Sequence, residues 1–476
     1  MGERVLSPEE LKADWHRFSN LAPNQRQIYL GQLLNPHSPL YNMAMLFHVD
    51  GLIEKDLFDQ SLNWVIAHTD SLKGVIEIHD GVPTVTVKND RVFESEYVDL
   101  RGRAGAEIDD WIQARISRPI NLEACTFDSV ILRLGEDSTG WLFIQHHVVS
   151  DMASFEIIFR RVSESYRLFL DGRSPTESWV AQSSSISVEA ASVDDPAETG
   201  ATRSGRKQQL EFYGNRRLEK TTRSTRVATK LNPDQQHDMD SRAGEERFFF
   251  LNRELTLFCL YTAAFAIYLH KVCNKDRFNI GMPVHNRSAG AGKNTPGLFV
   301  EIFPLELELG EDDTFITVFS KVRSEVLSAL KDSGQGPVRA EQARDLEVVV
   351  NFMATQFGDF AALPCRAEWL DAGHIDPQHA LRLQVLSLNR DEPVSLYFDS
   401  NQAALSPGKA EAAIRHFVEV LTQSLAKPKA PGSEIGLLPK THGQALASQI
   451  IHQPFSGSVL EKFEAQFLQN QDRIAA

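Results

Sequence analysis

The stretch Gly140-Trp-Leu-Phe-Ile-Gln-His-His-Val-Val-Ser-Asp-Met-Ala-Ser154 decides how this chain is read. Trp141 to Gln145 carry the apolar run of a buried strand. From Phe155, apolar residues at three- and four-residue steps (Phe155, Ile158, Val162, Tyr166, Phe169) predict an amphipathic helix. Ser150, Asp151 and Ser154 all suit the cap at its start, and Gly172 follows its end. His146 and His147 therefore sit where a strand gives way to a helix. Adjacent side chains on a strand point to opposite faces, so the two histidines cannot do the same job. One can face the core and the other a cleft. Asp151, four residues past His147, lies on the turn that would hold the second histidine in place.

Composition bounds the setting. At 476 residues the chain is too long for one ordinary core, so two or more domains are expected. A hydrophobic content of 42% with 24% charged residues is that of a soluble globular protein. A net charge of −15 argues against a nucleic-acid or anionic-membrane surface. Cys125, Cys259, Cys273 and Cys365 show no close pairing, so neither a zinc site nor a disulfide framework is indicated, and no metal is expected. No apolar run approaches the ~20 residues of a membrane span. The first ten residues lack the apolar core of a signal peptide. A cytoplasmic location is expected.

Along the chain, residues 1–20 read as a polar lead or docking segment. A helix is expected from Leu21–Gln25 to about Leu33, a strand over Met43–Val49 and a helix over Lys55–His68. Gly74–Ile78 and Val85–Val87 flank the hairpin signal Asp80-Gly81. Asp109–Ser117 reads as helix and Val130–Leu134 as strand. Residues 181–205 are rich in Ser, Ala, Thr and Gly without periodicity and read as a connector. Order resumes at Leu210–Tyr213. Leu255–Lys271 is a strongly apolar, buried helix; Phe278 leads a strand into a turn at Arg287; Asp312–Asp332 is largely helical. Val348–Phe352 and Leu396–Ser400 are strands. Ser406-Pro407 caps a last helix with Ile414, Phe417, Leu421 and Leu425 on one face.

Read together, several stretches resemble the motifs of nonribosomal peptide synthetase condensation domains. His146–Ser154 resembles His-His-x-x-x-Asp-Gly, whose His-x-x-x-Asp core is shared with chloramphenicol acetyltransferase and plant acyltransferases. Leu21–Asn42 resembles the first motif of the family, and His68-Thr-Asp-Ser-Leu-Lys73 its Arg-His-x-x-Leu-Arg. Arg118-Pro-Ile-Asn-Leu122 resembles Arg-Pro-Phe-Asp-Leu. Gly281, Pro283, Asn286 and Arg287 match Gly-x-Pro-x-x-Asn-Arg, and Gly297–Leu305 resembles Gly-x-Phe-x-Asn. These matches run in family order over residues 20–440. Three positions depart from the pattern. Lys73 replaces an arginine and could not reproduce a bidentate contact. Glu301 replaces an asparagine. Met152 replaces a glycine; if that glycine were needed for a positive φ, methionine would strain the turn.

The resemblance implies an α/β fold of two chloramphenicol-acetyltransferase-like lobes. They would form a V-shaped pseudo-dimer with the active site in a tunnel between them. The lobes would be 21–180 and 206–440, joined by 181–205, and 441–476 would be the linker and the start of an adenylation domain, making the chain a piece of a larger synthetase. It implies amide bond formation between a donor acyl or peptidyl thioester and the amine of an aminoacyl group on a downstream carrier. The donor would be an upstream carrier or, in an initiating domain, acyl-CoA. No cofactor would be bound directly, since the substrates ride on phosphopantetheine arms or CoA. Partners would be the adenylation and carrier domains, with no nucleic acid or membrane, and the chain would be a monomer.

Such chemistry needs positioning, proton management and oxyanion stabilisation rather than a strong nucleophile. A neutral histidine suits the proton step, and His147 is the catalytic candidate, as base or as orienter of the amine. His146 is expected to be structural. Asp151, whose carboxylate beside an arginine would be a poor base, is expected to pair with Arg287 and brace the turn from the other lobe, with Ser154 in support. Met152, Asn286 and Glu301 are expected to line the substrate tunnel. Gly290-Ala-Gly-Lys-Asn-Thr295 misses both the first glycine and the hydroxyl of a phosphate loop. A cyclisation domain would carry aspartates in place of the paired histidines. The alternatives are a catalytically silent recruitment domain of the same fold, which commonly lacks the second histidine, and an epimerisation domain.

Overall fold

The computed structural model describes residues 19–176, 209–215, 217, 219–287, 294–333, 346–390 and 392–439. The lead before residue 19, the connector at 181–205, the tail at 441–476 and most of the phosphate-loop-like segment lie outside the described residues. Residues up to Ile435 form one compact unit; Gly436 begins another.

In chain order the first half gives α1 (Pro23–Leu34), β1 (Asn42–Val49), α2 (Lys55–Ala67), α3 (Asp70–Lys73), β2 (Gly74–His79), β3 (Val82–Val87), β4 (Glu96–Asp99), α4 (Gly105–Ile116), β5 (Phe127–Gly135), β6 (Ser138–His146), a 3-10 turn over His147–Val149, and α5 (Met152–Leu170). The second half gives β7 (Ser224–Lys230), α6 (Pro233–Gly244), α7 (Arg253–Cys273), β8 (Arg277–His285), β9 (Val300–Glu308), α8 (Phe315–Asp332), β10 (Val348–Met353), β11 (Cys365–Leu370), β12 (Leu381–Leu386), β13 (Ser395–Asn401) and α9 (Pro407–Ala426).

Two sheets organise these elements. Among the described residues one has the strand order β11-β1-β6-β5-β4 and the other β7-β13-β12-β10-β8-β9, with β2 and β3 a separate hairpin. That hairpin turns at Asp80-Gly81, with φ of 51° and 81°, as the sequence signal requires. The first sheet separates two cores by strand alternation. Phe47, Trp141 and Phe143 face α2 and α5, where Phe58, Phe155 and Phe159 meet them. Ala44, Leu46, Leu142 and Ile144 face the opposite side, against Ile112 and Ile116 of α4. In the second lobe α7 packs against α8 and α9.

The structure adjusts several expectations. The helix after the histidine turn starts at Met152 rather than Phe155, because Asp151 accepts the Ser154 N–H and Ser154 closes the box in return. Ser150 is not its cap. The adjacent histidines separate because β6 stops at His146 and His147 opens the 3-10 turn, not through strand alternation. Ser406 occupies the N-cap position of α9 without a side-chain cap bond. Helix α8 starts at Phe315 rather than Asp312, with Thr314 as its cap. Helix α7 spans 21 residues and is long and apolar enough, by length and composition, to cross a membrane, which the sequence reading had not found; most of it is buried in the second lobe. The largest adjustment is β11. It comes from the second half of the chain but pairs antiparallel with β1, placing Leu370 opposite Ala44. The first lobe's sheet is thus completed from beyond the connector.

Candidate active site

His147 sits just past the end of β6, half-buried, and its two ring nitrogens have different fates. Nδ1 lies 2.7 Å from the Ser150 carbonyl oxygen. A carbonyl can only accept, so Nδ1 carries the proton and Nε2 keeps a lone pair. Among the described residues no protein group hydrogen-bonds Nε2. Burial lowers the His147 pKa below the ordinary histidine value. The Ser150 carbonyl and Asp151 oppose that, and Arg382 adds to it. The main chain is held as well: the His147 N–H donates to the Tyr41 carbonyl at 2.8 Å.

His146 is fully buried, and both its nitrogens are satisfied. Nδ1 accepts the Val148 N–H at 3.2 Å, so the proton is on Nε2, which donates to Gln32 Oε1 at 3.2 Å. The Gln32 amide is oriented by its own donations to the carbonyls of Asn35 and Ser38, both at 3.0 Å. Burial, with His147 adjacent, pushes the His146 pKa down to about 3, so this ring is neutral.

Asp151 is fully buried and collects donors. Oδ1 accepts from Arg287 Nη2 at 2.6 Å, from the Ser154 N–H at 3.0 Å and from the Ser154 hydroxyl at 2.9 Å; Oδ2 accepts from the Phe299 N–H at 3.2 Å. Arg287 also donates to the carbonyls of Thr295 and Gly297 and stacks 4.4 Å over the Phe299 ring. Ser154 Oγ accepts the Gly297 N–H at 2.9 Å. The predicted pairing of Asp151 with Arg287 is therefore present, and Ser154 joins it. The three groups tie the start of α5 to the segment between β8 and β9.

The motif glycine at 281 has a packing reason. A Cβ there would lie 2.9 Å from Ile302 Cγ2 and 3.0 Å from Val349 Cγ2, so only glycine lets β8 sit between β9 and β10. Met152 is the first residue of α5 and has no positive φ, so no strain follows from its replacing a glycine. Its side chain is 6% exposed, in an apolar cluster that also holds Met353 and Leu386 of the second sheet and Trp369. Asn286 is half-buried and bonds through its backbone to the Phe299 carbonyl, 3.1 Å. Glu301 is half-buried in β9 opposite Val284. A cavity of ≈ 210 Å³ between β11 and β13, lined by Lys230, Trp369 and Tyr397 among others, includes none of the predicted site residues. Lys73 is buried and pairs with Asp70 at 3.0 Å. Among the described residues no group of three or more His, Cys, Asp or Glu is arranged to hold a metal.

Sequence reasoning did not single out Gln25, Tyr41 or Arg382. Gln25 donates to the Val148 carbonyl at 2.8 Å and accepts the Ala22 N–H, pinning the histidine turn to α1. Gln25 and Tyr41 lie inside the first motif, where a signal existed. Nothing near Arg382 marked it.

A family model described as "Condensation domain" matches residues 16–447. The dimodular nonribosomal peptide synthase of Bacillus subtilis is 22% identical over 96% of this chain, and the isonitrile lipopeptide synthase of Streptomyces coeruleorubidus 23% over 85%. The chain spans only 20% and 28% of the lengths of these two relatives. Among solved structures, a variant of the starter condensation domain of rhizomide synthetase in complex with C8-CoA matches with a TM-score of 0.73 and 23% identity, covering 88% of this chain and 97% of that one. The first condensation domain of the calcium-dependent antibiotic synthetase matches at 0.71 and 19%, covering 88% and 98%. These likenesses bear out the two-lobed α/β fold.

Proposed function

The chain belongs to the condensation-domain family, and on that premise we propose that it joins a donor acyl thioester to the amine of a carrier-bound aminoacyl group, with His147 handling the amine's proton. The observation that carries this reading is the state of one ring. His147 Nδ1 is committed to the Ser150 carbonyl, so the neutral imidazole offers only the Nε2 lone pair. Its lowered pKa keeps it neutral and able to accept at neutral pH.

In this reading the thioester is already activated. The amine nitrogen attacks the acyl carbon, forming the new C–N bond, and Nε2 accepts a hydrogen bond or a proton from that nitrogen. The thioester oxygen gains negative charge as the tetrahedral intermediate forms. Its collapse breaks the C–S bond, and the departing thiolate takes up the proton. The first-turn amides of α5, at Met152 and Ala153, lack partners four residues back and are main-chain donors available to the oxyanion. Asp151, Ser154 and Arg287 hold the turn. His146 supports it from below. Met152, Asn286 and Glu301 would line the substrate path, with Met152 narrowing the donor side. The chain needs no bound cofactor for this chemistry. Its partners would be carrier and adenylation domains, with acyl-CoA or an upstream carrier as donor, in a cytoplasmic setting.

The test is condensation with loaded carriers, native protein against His147→Ala. Product from the native protein and none from the variant supports the proposal. No product from the native protein favours a recruitment role. Intact-mass analysis of the acceptor carrier, offering acyl-CoA and carrier-bound donor separately, identifies the donor.

A further inference from the structure

Tyr41 touches both histidines and the opposite lobe at once. Its carbonyl accepts the His147 N–H at 2.8 Å. Its ring packs edge-on against the His146 ring, with centroids 6.0 Å apart. Its hydroxyl donates to Asp376 Oδ2 at 2.9 Å, across 335 residues of chain. Asp376 lies between β11 and β12, where its other oxygen accepts the Gln378 N–H at 2.9 Å. Beside it Arg382 donates Nε and Nη2 to His379 Nδ1, at 3.0 and 2.9 Å. The phenol reaches Asp376 by crossing α1 at Gly31. A Cβ on Gly31 would fall 2.1 Å from Tyr41 Oη and 2.9 Å from Cε2 and Cζ.

Resting on the reading of His147 given above, we propose that Tyr41 is a positioning residue for catalysis: its hydroxyl, anchored on Asp376 of the second lobe, fixes the carbonyl from which the His147 main chain hangs. This contact is separate from the Asp151–Arg287 brace. The brace holds the far end of the turn through α5, and Tyr41 holds the near end, at the histidine itself. Between them the imidazole is located from the second lobe at two points. Burial and the neighbouring Asp376 carboxylate raise the Tyr41 pKa well above the ordinary phenol value, so the hydroxyl stays a donor.

Tyr41→Phe removes the hydroxyl and leaves the ring and the carbonyl. Gly31→Ala leaves Tyr41 intact and displaces its phenol. The full chain is assayed with loaded carriers, beside His147→Ala. Misplacement of a catalytic group by even 1 Å can cost up to about a hundredfold in rate, so for a smaller shift the expected loss in kcat is about tenfold. The KM for either substrate should stay within about twofold of native, because neither binding surface is altered. Gly31→Ala should give the same kcat loss. The double variant should lose little more than either single one, since both break one contact. If Gly31→Ala does not fold, Tyr41→Phe carries the test alone, because it adds no atom. Native kcat in Tyr41→Phe, with His147→Ala inactive, overturns the positioning role and leaves the function standing. A shift in KM without a change in kcat also overturns it. Native rates in His147→Ala remove both.

Discussion

Replacing Arg287 by alanine tests the brace that joins the two lobes at the histidine turn. The guanidinium approaches Asp151 Oδ1 at 2.6 Å, and the two side chains are 8% and 0% exposed. Removing one partner of a buried ion pair costs about 3–5 kcal/mol, mostly from the charge left behind. Asp151 would keep three donors, the Ser154 N–H, the Ser154 hydroxyl and the Phe299 N–H, which places the loss near the lower end of that range. The loss of stacking on Phe299 and of the bonds to Thr295 and Gly297 adds to it. A destabilisation of about 3 kcal/mol is therefore expected for Arg287→Ala. Adding Asp151→Asn removes the stranded charge and keeps a competent N-cap, so the double variant should be more stable than Arg287→Ala alone. Urea unfolding followed by tryptophan fluorescence measures both, with Trp141 buried in the first-lobe core as one reporter. A loss under about 1 kcal/mol for Arg287→Ala, or a double variant weaker than the single, would refute the reasoning.

Three further outcomes are expected. His146 and His379 both have folded-state pKa values of about 3, against an ordinary value of 6.5. Between those limits the unfolded chain binds protons that the folded chain does not, so stability falls as pH falls, by up to about 1.4 kcal/mol per pH unit for each ring. Urea midpoints from pH 7 to 4 should show this, and His146→Gln should make the slope shallower; an unchanged slope counts against it. The acid limb of kcat should lie below the ordinary histidine value, because burial lowers the His147 pKa. Arg382→Gln removes a charge that lowers it further and should move that limb upward in a pH–rate profile. Met152→Gly relieves no backbone strain and empties part of an apolar cluster, so a loss of about 2–5 kcal/mol is expected, with a changed preference for donor chain length in competition assays.

The sequence made the site legible in some respects and opaque in others, for physical reasons. The apolar steps from Phe155 to Tyr166 announce α5, since one face of a helix must be buried. The pairing of Asp151 with Arg287 bridges 136 residues and carries no local signal; only the resemblance to a family supplied it. Strand β11 alternates polar and apolar residues, Arg366 and Glu368 against Ala367 and Trp369, but alternation does not say which sheet a strand joins. Helix α6 escaped notice because only Met239 and Ala243 of its twelve residues are buried, leaving no apolar stripe to read. The contact of Tyr41 with Asp376 depends on a glycine one turn before the end of α1, a reason for Gly31 that appears only in three dimensions.

The most direct test of the central claim is intact-mass analysis of an aminoacyl-loaded acceptor carrier after incubation with donor and either the native chain or His147→Ala. The account predicts an acyl mass increment on the carrier with the native protein and none above background with the variant. Equal increments with both proteins would contradict it.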